Sequence, residues 1–315
     1  MKTSIVMTTF NSEKFILKQL DSLVHQTKYI DEFIICDDCS SDNTISLLEQ
    51  FKTTNINCKI KIVHNSENIG FVQNFKNAIS YASGDLIFLC DHDDVWEKEK
   101  VENMVKVFEG NKDILCLGSS FSMIDANDDK IKNKRNIFFC NNNLIKFKIK
   151  KGKVEKINFK NEFLHNFTPG CCIAFRKELK EEIIKHLNVA PHDYFISSLA
   201  SSKDALYFYN EELIKYRLHQ NNCIGIPNNS SYESRKKQVS KDLIEKEDIF
   251  NNLVDISAKK KKLAVKTINI FKKRKKYFDN KKKFKLLFLA LSIITFDFSL
   301  ALTCIKDSYI IFKNR

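Results

Sequence analysis

Four times in its first 110 residues the chain runs a short apolar segment into polar residues and then into a helical period. Ser4–Thr8, Phe33–Cys36, Lys59–His64 and Leu86–Cys90 have the length and side chains of strands. After Asn11 or Ser12, either a good N-cap, the apolar residues Phe15, Ile16, Leu20 and Leu23 recur at helical spacing. Ile45, Leu47, Leu48 and Phe51 do the same after Ser41 or Asp42, and a third helix is expected from Asn68-Ile69-Gly70 through Ala82. Such alternation restricts the chain to an α/β fold with a mostly parallel central sheet flanked by helices. Crossover helices then leave the strand carboxyl ends along one rim, where open α/β sheets bind ligands. Three of those ends are polar: Thr8-Thr9, Asp37-Asp38 and Asp91-Asp93.

The fourth strand opens the most informative stretch, L-I-F-L-C-D-H-D-D-V-W over residues 86–96, which delivers Asp91, Asp93 and Asp94 together. Carboxylates this close repel unless a hard cation lies between them, and Mg²⁺ or Mn²⁺ with phosphate oxygens suits such a set. A solvated acidic turn is the plain alternative. Neither G-x-G-x-x-G after the first strand nor a Walker sequence G-x-x-x-x-G-K-[ST] is present, so dinucleotide and P-loop chemistry have little support.

Further on, a helix is expected over about 97–110 and a strand over Ile114–Met123. Residues 125–162 are polar and basic with weak periodicity and read as loops with a hairpin. Pro169-Gly170 makes a tight turn before an apolar strand, and a short helix around Lys177–Leu187 follows. His192-Asp193-Tyr194-Phe195 stands at the start of another helix. Ala205–Tyr209 and Leu213–Leu218 read as two strands, the second running into Arg217, His219 and Asn222. A cation and an imidazole there are suited to hold a diphosphate, complete a metal shell or meet an acceptor, or are a surface pair on an edge strand.

Ten cysteines are scattered without the spacing of a disulfide scaffold and read as buried small hydrophobes in a reducing compartment. Cys36 and Cys39 form a C-x-x-C, but Asp37 and Asp38 between them should raise the thiol pKa values, and no second pair completes a zinc site. The amino terminus has too little apolar length for a signal peptide, so a cytoplasmic protein is expected. The net charge of +13 is confined to one region: residues 235–285 carry 19 basic and 6 acidic side chains, whereas residues 1–234 carry 30 and 31. The body is therefore not a nucleic-acid-binding surface. A domain over 1–234 and a basic helical tail over 235–315 are expected. Within the tail, residues 286–305 are mostly apolar but interrupted by Asp297. A central aspartate costs about 2.5–3.5 kcal/mol on insertion scales and argues against a simple span. The tail is expected to lie on an anionic membrane surface, apolar side down, making the protein peripheral on the inner face of the plasma membrane. A soluble helical pair packed on the domain is the alternative.

In their order, several segments resemble the family 2 glycosyltransferases of the GT-A fold. Thr9-Phe10-Asn11 matches T-[YF]-N, and residues 37–44, D-D-C-S-S-D-N-T, match D-D-G-S-x-D-x-T. Asn68-Ile69-Gly70 matches N-x-G, and Gly84-Asp85 matches the G-[DE] before the metal strand. Asp91-His92-Asp93-Asp94-Val95-Trp96 looks like D-Q-D-D-x-W. With the P-G turn, H-D-[WY] and Y-R-x-H-x-x-N-x-x-G, that variant resembles the bacterial polysaccharide branch that includes rhamnosyltransferases. The likeness covers roughly residues 3–225. Cys39 departs from it where glycine is usual, His92 where Gln or Ala is common, and Gln73 where an arginine is frequent.

The resemblance implies an inverting, metal-dependent transfer from a nucleoside-diphosphate sugar to a glycan or lipid-linked acceptor. Thr9 and Asn11 are expected to shape the base pocket, with Asn68 and Gly70 in the next turn. Asp37 and Asp38 either accept N–H bonds from the base, bind the ribose, or cap the following helix. Asp91 and Asp93 are the expected metal pair, with Asp93 the direct ligand and Asp91 available to the ribose. Asp94 caps the next helix or orients the other two. Asp193 is the expected base, His192 orients it or touches the acceptor, and Gly170 lets the backbone approach the acceptor or only makes the turn. A nucleotidyltransferase would need a glycine-rich basic loop that is missing. A catalytically inactive scaffold held at a membrane is the non-enzymatic alternative.

Overall fold

The four expected amino-terminal strands form and pair in parallel. A computed structural model describes residues 1–55, 58–131, 149–166, 168–219 and 231–313. In chain order the elements begin β1 (Thr3–Thr9), α1 (Ile16–Val24), β2 (Glu32–Asp37), α2 (Thr44–Thr54), β3 (Ile60–His64), α3 (Phe71–Tyr81) and β4 (Leu86–Cys90). They continue β5 (Val95–Trp96), α4 (Lys100–Gly110), β6 (Cys116–Ile124), β7 (Val154–Lys156) and α5 (Phe159–His165). Then come β8 (Ile173–Arg176), α6 (Lys180–His186), α7 (His192–Ser202) and β9 (Leu206–Arg217). The chain forms two compact units, Met1–Glu162 with Asn166–Gln220, and Phe163–His165 with Asn221–Arg315.

The sheet of the first unit runs β3-β2-β1-β4-β8-β6-β9-β5, with β7 added on β9. It is parallel through β3, β2, β1 and β4, then mixed: β8 is antiparallel to both β4 and β6, while β9 returns parallel to β6. β1, β2 and β4 are buried along their whole length, as parallel strands covered on both faces must be. Register places Thr9 opposite Asp37, Asp37 opposite His64, and Met7 opposite Cys90, the residue before Asp91. The polar strand ends therefore share one rim.

Three elements differ from expectation. The two strands expected at 205–218 are one, β9, because register shifts opposite Ser119 to Ser122 absorb the polar residues Asn210 and Glu211 without ending the pairing. The polar middle contains β7 and the short helix α5, whose start is capped by Asn158 accepting from the Asn161 N–H at 2.9 Å. Of its expected hairpin, the Ile124–Lys130 bridge is described, and residues 132–148 lie outside the described residues. Of the eight cysteines described, six are buried, and all eight are free thiols. Cys36 has its thiol pushed up to about 12, and the cause is burial rather than the neighbouring aspartates.

Glu32 ties β1, β2 and the β4 approach together. Its carboxylate accepts from Ser4 Oγ and the Ser83 N–H at 2.6 Å each, and from Lys59 Nζ at 2.6 Å. Burial alone would raise its pKa, but these donors outweigh it and lower it to about 2. The stabilisation is present above the unfolded carboxyl's pKa and is lost as pH falls toward 2. Lys59 is exposed, which screens its share and leaves about 2 kcal/mol. Glu32→Gln is expected to lower stability by about that much at pH 7. In denaturant titrations across pH, the gap to wild type should close as pH falls through 4 toward 2.

The second unit holds α8 (Tyr232–Asn252), α9 (Ala258–Asp279), α10 (Lys283–Ile293) and α11 (Phe298–Lys313). Ser231 and Ser257 cap α8 and α9 through their side chains. Asp307 is wholly buried and takes Arg235 Nε at 2.6 Å and Arg274 Nε at 2.7 Å, while Arg274 also reaches Asp242 at 2.7 Å. The apolar stretch 286–305 is not one helix. It breaks before Asp297, whose side chain accepts from the Leu300 N–H at 2.8 Å and starts α11. Among the described residues, no helix is long and apolar enough to cross a membrane.

Candidate active site at the carboxyl rim of the sheet

The first part of the rim is built by side chains bonding to main-chain and side-chain groups of the neighbouring turns. Asp37 accepts Thr9 Oγ1 at 2.7 Å, the Ser40 N–H at 2.9 Å and Ser40 Oγ at 2.5 Å. Asp38 accepts Asn65 Nδ2 at 3.0 Å and the N–H groups of Ile69 and Gly70 at 2.9 Å each. Neither acts as the N-cap of α2, which is Asn43. Asn11 accepts from the Ser41 N–H at 2.9 Å, and Asn68 donates to the Asp38 carbonyl. Gly70 holds φ at +81°, a conformation that explains glycine there. Cys39 has φ at +64°, so the turn adopts the left-handed form with a side chain in place of glycine.

The second part is acidic. Asp93 accepts His219 Nε2 at 2.8 Å, and its carbonyl accepts Arg217 Nε at 2.6 Å. Burial works against the Asp93 carboxylate, but His219 and His92 outweigh it and hold its pKa below the usual range. Burial, with the charges of Asp93 and Asp193 nearby, pushes the Asp91 carboxyl up to about 8. Asp94 is fully buried and accepts the Arg217 N–H at 2.9 Å. It therefore ties β9 to the acidic loop and does not cap α4, whose N-cap is Glu99. Arg217 is fully buried, stacked over Phe15, and donates to the Asp125 carbonyl and the Asp128 carboxylate as well. In this arrangement its guanidinium braces the acidic loop. His219 lies 4.8 Å from the Phe15 ring. Asn222 lies outside the described residues.

Ligand atoms of Asp91, Asp94 and Cys171 lie within 4.8 Å of one another. Crowded carboxyls, with Asp91 and Asp94 both driven toward the protonated form by burial and by their neighbours' charges, and with an imidazole on Asp93, make a donor set that fits Mg²⁺ or Mn²⁺.

Lys100 joins the site without being among the residues expected from the sequence. It is fully buried, donates to the Cys171 carbonyl at 2.6 Å and lies 3.5 Å from the Trp96 ring centroid. Its charge opposes the rise at Asp91 and links the acidic loop to the Pro169-Gly170 turn. A lysine on the buried face shared by Val101, Met104, Val105 and Phe108 was the available signal.

The third part is the start of α7, where His192 and Asp193 are both buried. The His192 ring stacks on Phe75 at 3.7 Å between centroids, and burial drops its pKa to about 3, so it is neutral in use. Neither of its ring nitrogens has a hydrogen-bond partner among the described residues. Asp193 Oδ1 accepts its neighbour's N–H, that of Tyr194, at 2.7 Å, and its charge reaches Asp91. Gly170 serves this corner: a Cβ there would stand 2.7 Å from His192 Nε2. Gly170→Ala is expected to displace the imidazole and lower stability by about 1–3 kcal/mol. In a thermal-denaturation double-mutant cycle, that loss should shrink when His192 is alanine.

The Glycosyl transferase family 2 model matches residues 4–184, more than half of the chain. The chain belongs to glycosyltransferase family 2. An uncharacterized glycosyltransferase of Haemophilus influenzae is 27% identical over 247 residues, covering 74% of this chain and 71% of that protein. The dTDP-rhamnosyl transferase RfbG of Shigella flexneri is 28% identical over 249 residues, covering 74% and 78%. Among solved structures, S. aureus TarS 1–349 in complex with UDP superposes with a TM-score of 0.56 at 17% identity, covering 89% of this chain and 72% of that one. Mannosyltransferase PcManGT of Pyrobaculum calidifontis, with GDP-Man and Mn²⁺, gives 0.56 at 13%, covering 99% and 85%. The fold of this family 2 enzyme is thus GT-A, its acidic loop lying at the end of β4.

Proposed function

We propose that this glycosyltransferase moves a sugar from a nucleoside-diphosphate donor to a glycan or lipid-linked glycan, with inversion, in bacterial surface polysaccharide synthesis. The observation that carries the reading is the meeting of Asp91, Asp93 and His219 with Asp193 at one rim. Asp93 and His219, with Asp91, would hold Mg²⁺ or Mn²⁺, which when bound neutralises charge on the leaving diphosphate. Thr9, Asn11, Asp37, Asp38, Asn68 and Gly70 form the donor pocket, the two aspartates by fixing the turns that face the base and ribose. Asp193 takes the proton of the acceptor hydroxyl as its oxygen bonds to the anomeric carbon and the bond to the diphosphate breaks. Gly170 and His192 shape the acceptor side, and Arg217 acts through Asp93. The likeness to RfbG favours dTDP-rhamnose as the donor. The enzyme works in the cytoplasm, peripheral on the inner face of the plasma membrane, its basic tail on the anionic surface.

Thermal shift with UDP, dTDP and GDP, with and without Mn²⁺, tests the donor site. A metal-dependent shift for dTDP above the others supports the reading. No shift with any of them sinks it in favour of an inactive scaffold.

A further inference from the structure

In a helix that packs on a protein body in water, the outward side is polar. The hairpin of α10 and α11 reverses this. Its inward side is apolar as usual, with Leu286, Leu289 and Ile293 buried on α10 and Leu300, Ala301 and Cys304 on α11. Its outward side is apolar too: Phe284, Phe288 and Leu291 follow one another at i, i+4 and i+7, and Phe298, Ile305 and Phe312 at i, i+7 and i+14. Phe288 is 71% exposed and Leu291 68%. Lys283 Nζ lies 5.1 Å from the Phe284 ring and 4.7 Å from that of Phe312, so the two stripes run side by side and end together under one cation.

We propose that this outward face of the α10–α11 hairpin docks on an anionic phospholipid bilayer, its aromatic and aliphatic side chains entering the interface and the lysines at its end meeting headgroup phosphates. The proposal deepens the peripheral placement given above and rests on it. Charge decides the occupant. Lys281, Lys282, Lys283, Lys285 and Lys313 gather at the end where Phe284 and Phe312 meet. The hairpin's two acids are withdrawn from the face, Asp297 into the turn that starts α11 and Asp307 into the buried arginine pairs. A second copy of the chain would set like lysine clusters near one another, whereas an anionic surface neutralises them. Neither helix spans a bilayer: 11 and 16 residues reach about 16 and 24 Å against a hydrocarbon core of about 30 Å. The hairpin therefore lies in the interface plane.

The test is sedimentation of the full chain with vesicles of phosphatidylcholine alone or mixed with phosphatidylglycerol. The mixed vesicles are expected to bind it at least roughly tenfold more tightly, and high salt to release part of it. Phe288→Glu with Leu291→Glu should abolish the binding and leave the melting temperature and Mn²⁺-dependent nucleotide binding unchanged. Undiminished binding by this variant overturns the docking face while leaving peripheral placement intact. No binding by wild type overturns the placement as well, and a dimer in light scattering that the variant dissolves assigns the face to a second copy. Nucleotide binding measured on the same samples keeps these outcomes separate from any failure of the donor site.

Discussion

Asp193→Asn is expected to bind donor nucleotide as wild type does and to transfer sugar about 10²- to 10⁴-fold more slowly. The substitution is nearly isosteric, and an amide oxygen still accepts the Tyr194 N–H that the carboxylate accepts at 2.7 Å. The start of α7 should therefore hold, with a stability change below about 1 kcal/mol. What the amide cannot do is take a proton from the acceptor hydroxyl. The loss should fall on kcat, with the donor KM unchanged, which separates a base from a helix cap. A second readout follows from the electrostatics. The charge of Asp193 is one cause of the raised Asp91 pKa, so removing it should bring that group down. Full activity in Asp193→Asn would leave the residue only its structural part.

Asp93→Ala carries the other large effect. It removes a carboxylate that His219 and His92 keep ionised, the one member of the acidic set held below its usual pKa. The metal-dependent thermal shift with nucleotide should vanish, and transfer should fall by roughly 10³-fold or more, since charge stabilisation by a bound cation amounts to several kcal/mol. Folding should survive, because Arg217 bonds the Asp93 main-chain carbonyl, which alanine retains, and Asp94 keeps the Arg217 N–H. His219→Ala should weaken Mn²⁺-dependent binding less, as it leaves all three acids in place. pH gives an independent check on wild type. A proton held by Asp91 must leave before a cation is bound there, so Mn²⁺-dependent affinity should rise with pH and level off above about 8.

Much of this site was legible because short-range patterns put it there. An apolar run ending in Asp37-Asp38, another ending in Asp91-His92-Asp93, and helical periods between them are enough to bring those residues to one rim. What the side chains do on that rim was not legible. Asp37 and Asp38 look alike in the sequence, yet one fastens Ser40 beside it while the other reaches to Ile69 and Gly70. Arg217 reads as a cation for phosphate, and its enclosure among Phe15, Asp93, Asp125 and Asp128 came only with folding. Lys100 on an apolar helix face signals burial, but its place in the site does not show in the pattern, because its partner, the Cys171 carbonyl, is a main-chain atom 71 residues away. The tail repeats the lesson: in the sequence Asp297 is a charge inside an apolar stretch, and in the fold it is the residue that ends one helix and begins the next.

By itself, then, the sequence determined the α/β alternation, the rim, its acids and the basic tail, all carried by periodicity and strand-end chemistry within some ten residues. The tertiary structure alone decided which acids are driven to keep their protons, which cation braces the loop and which glycine clears space for His192. Those outcomes depend on burial and on partners far along the chain, and local pattern carries no information about either.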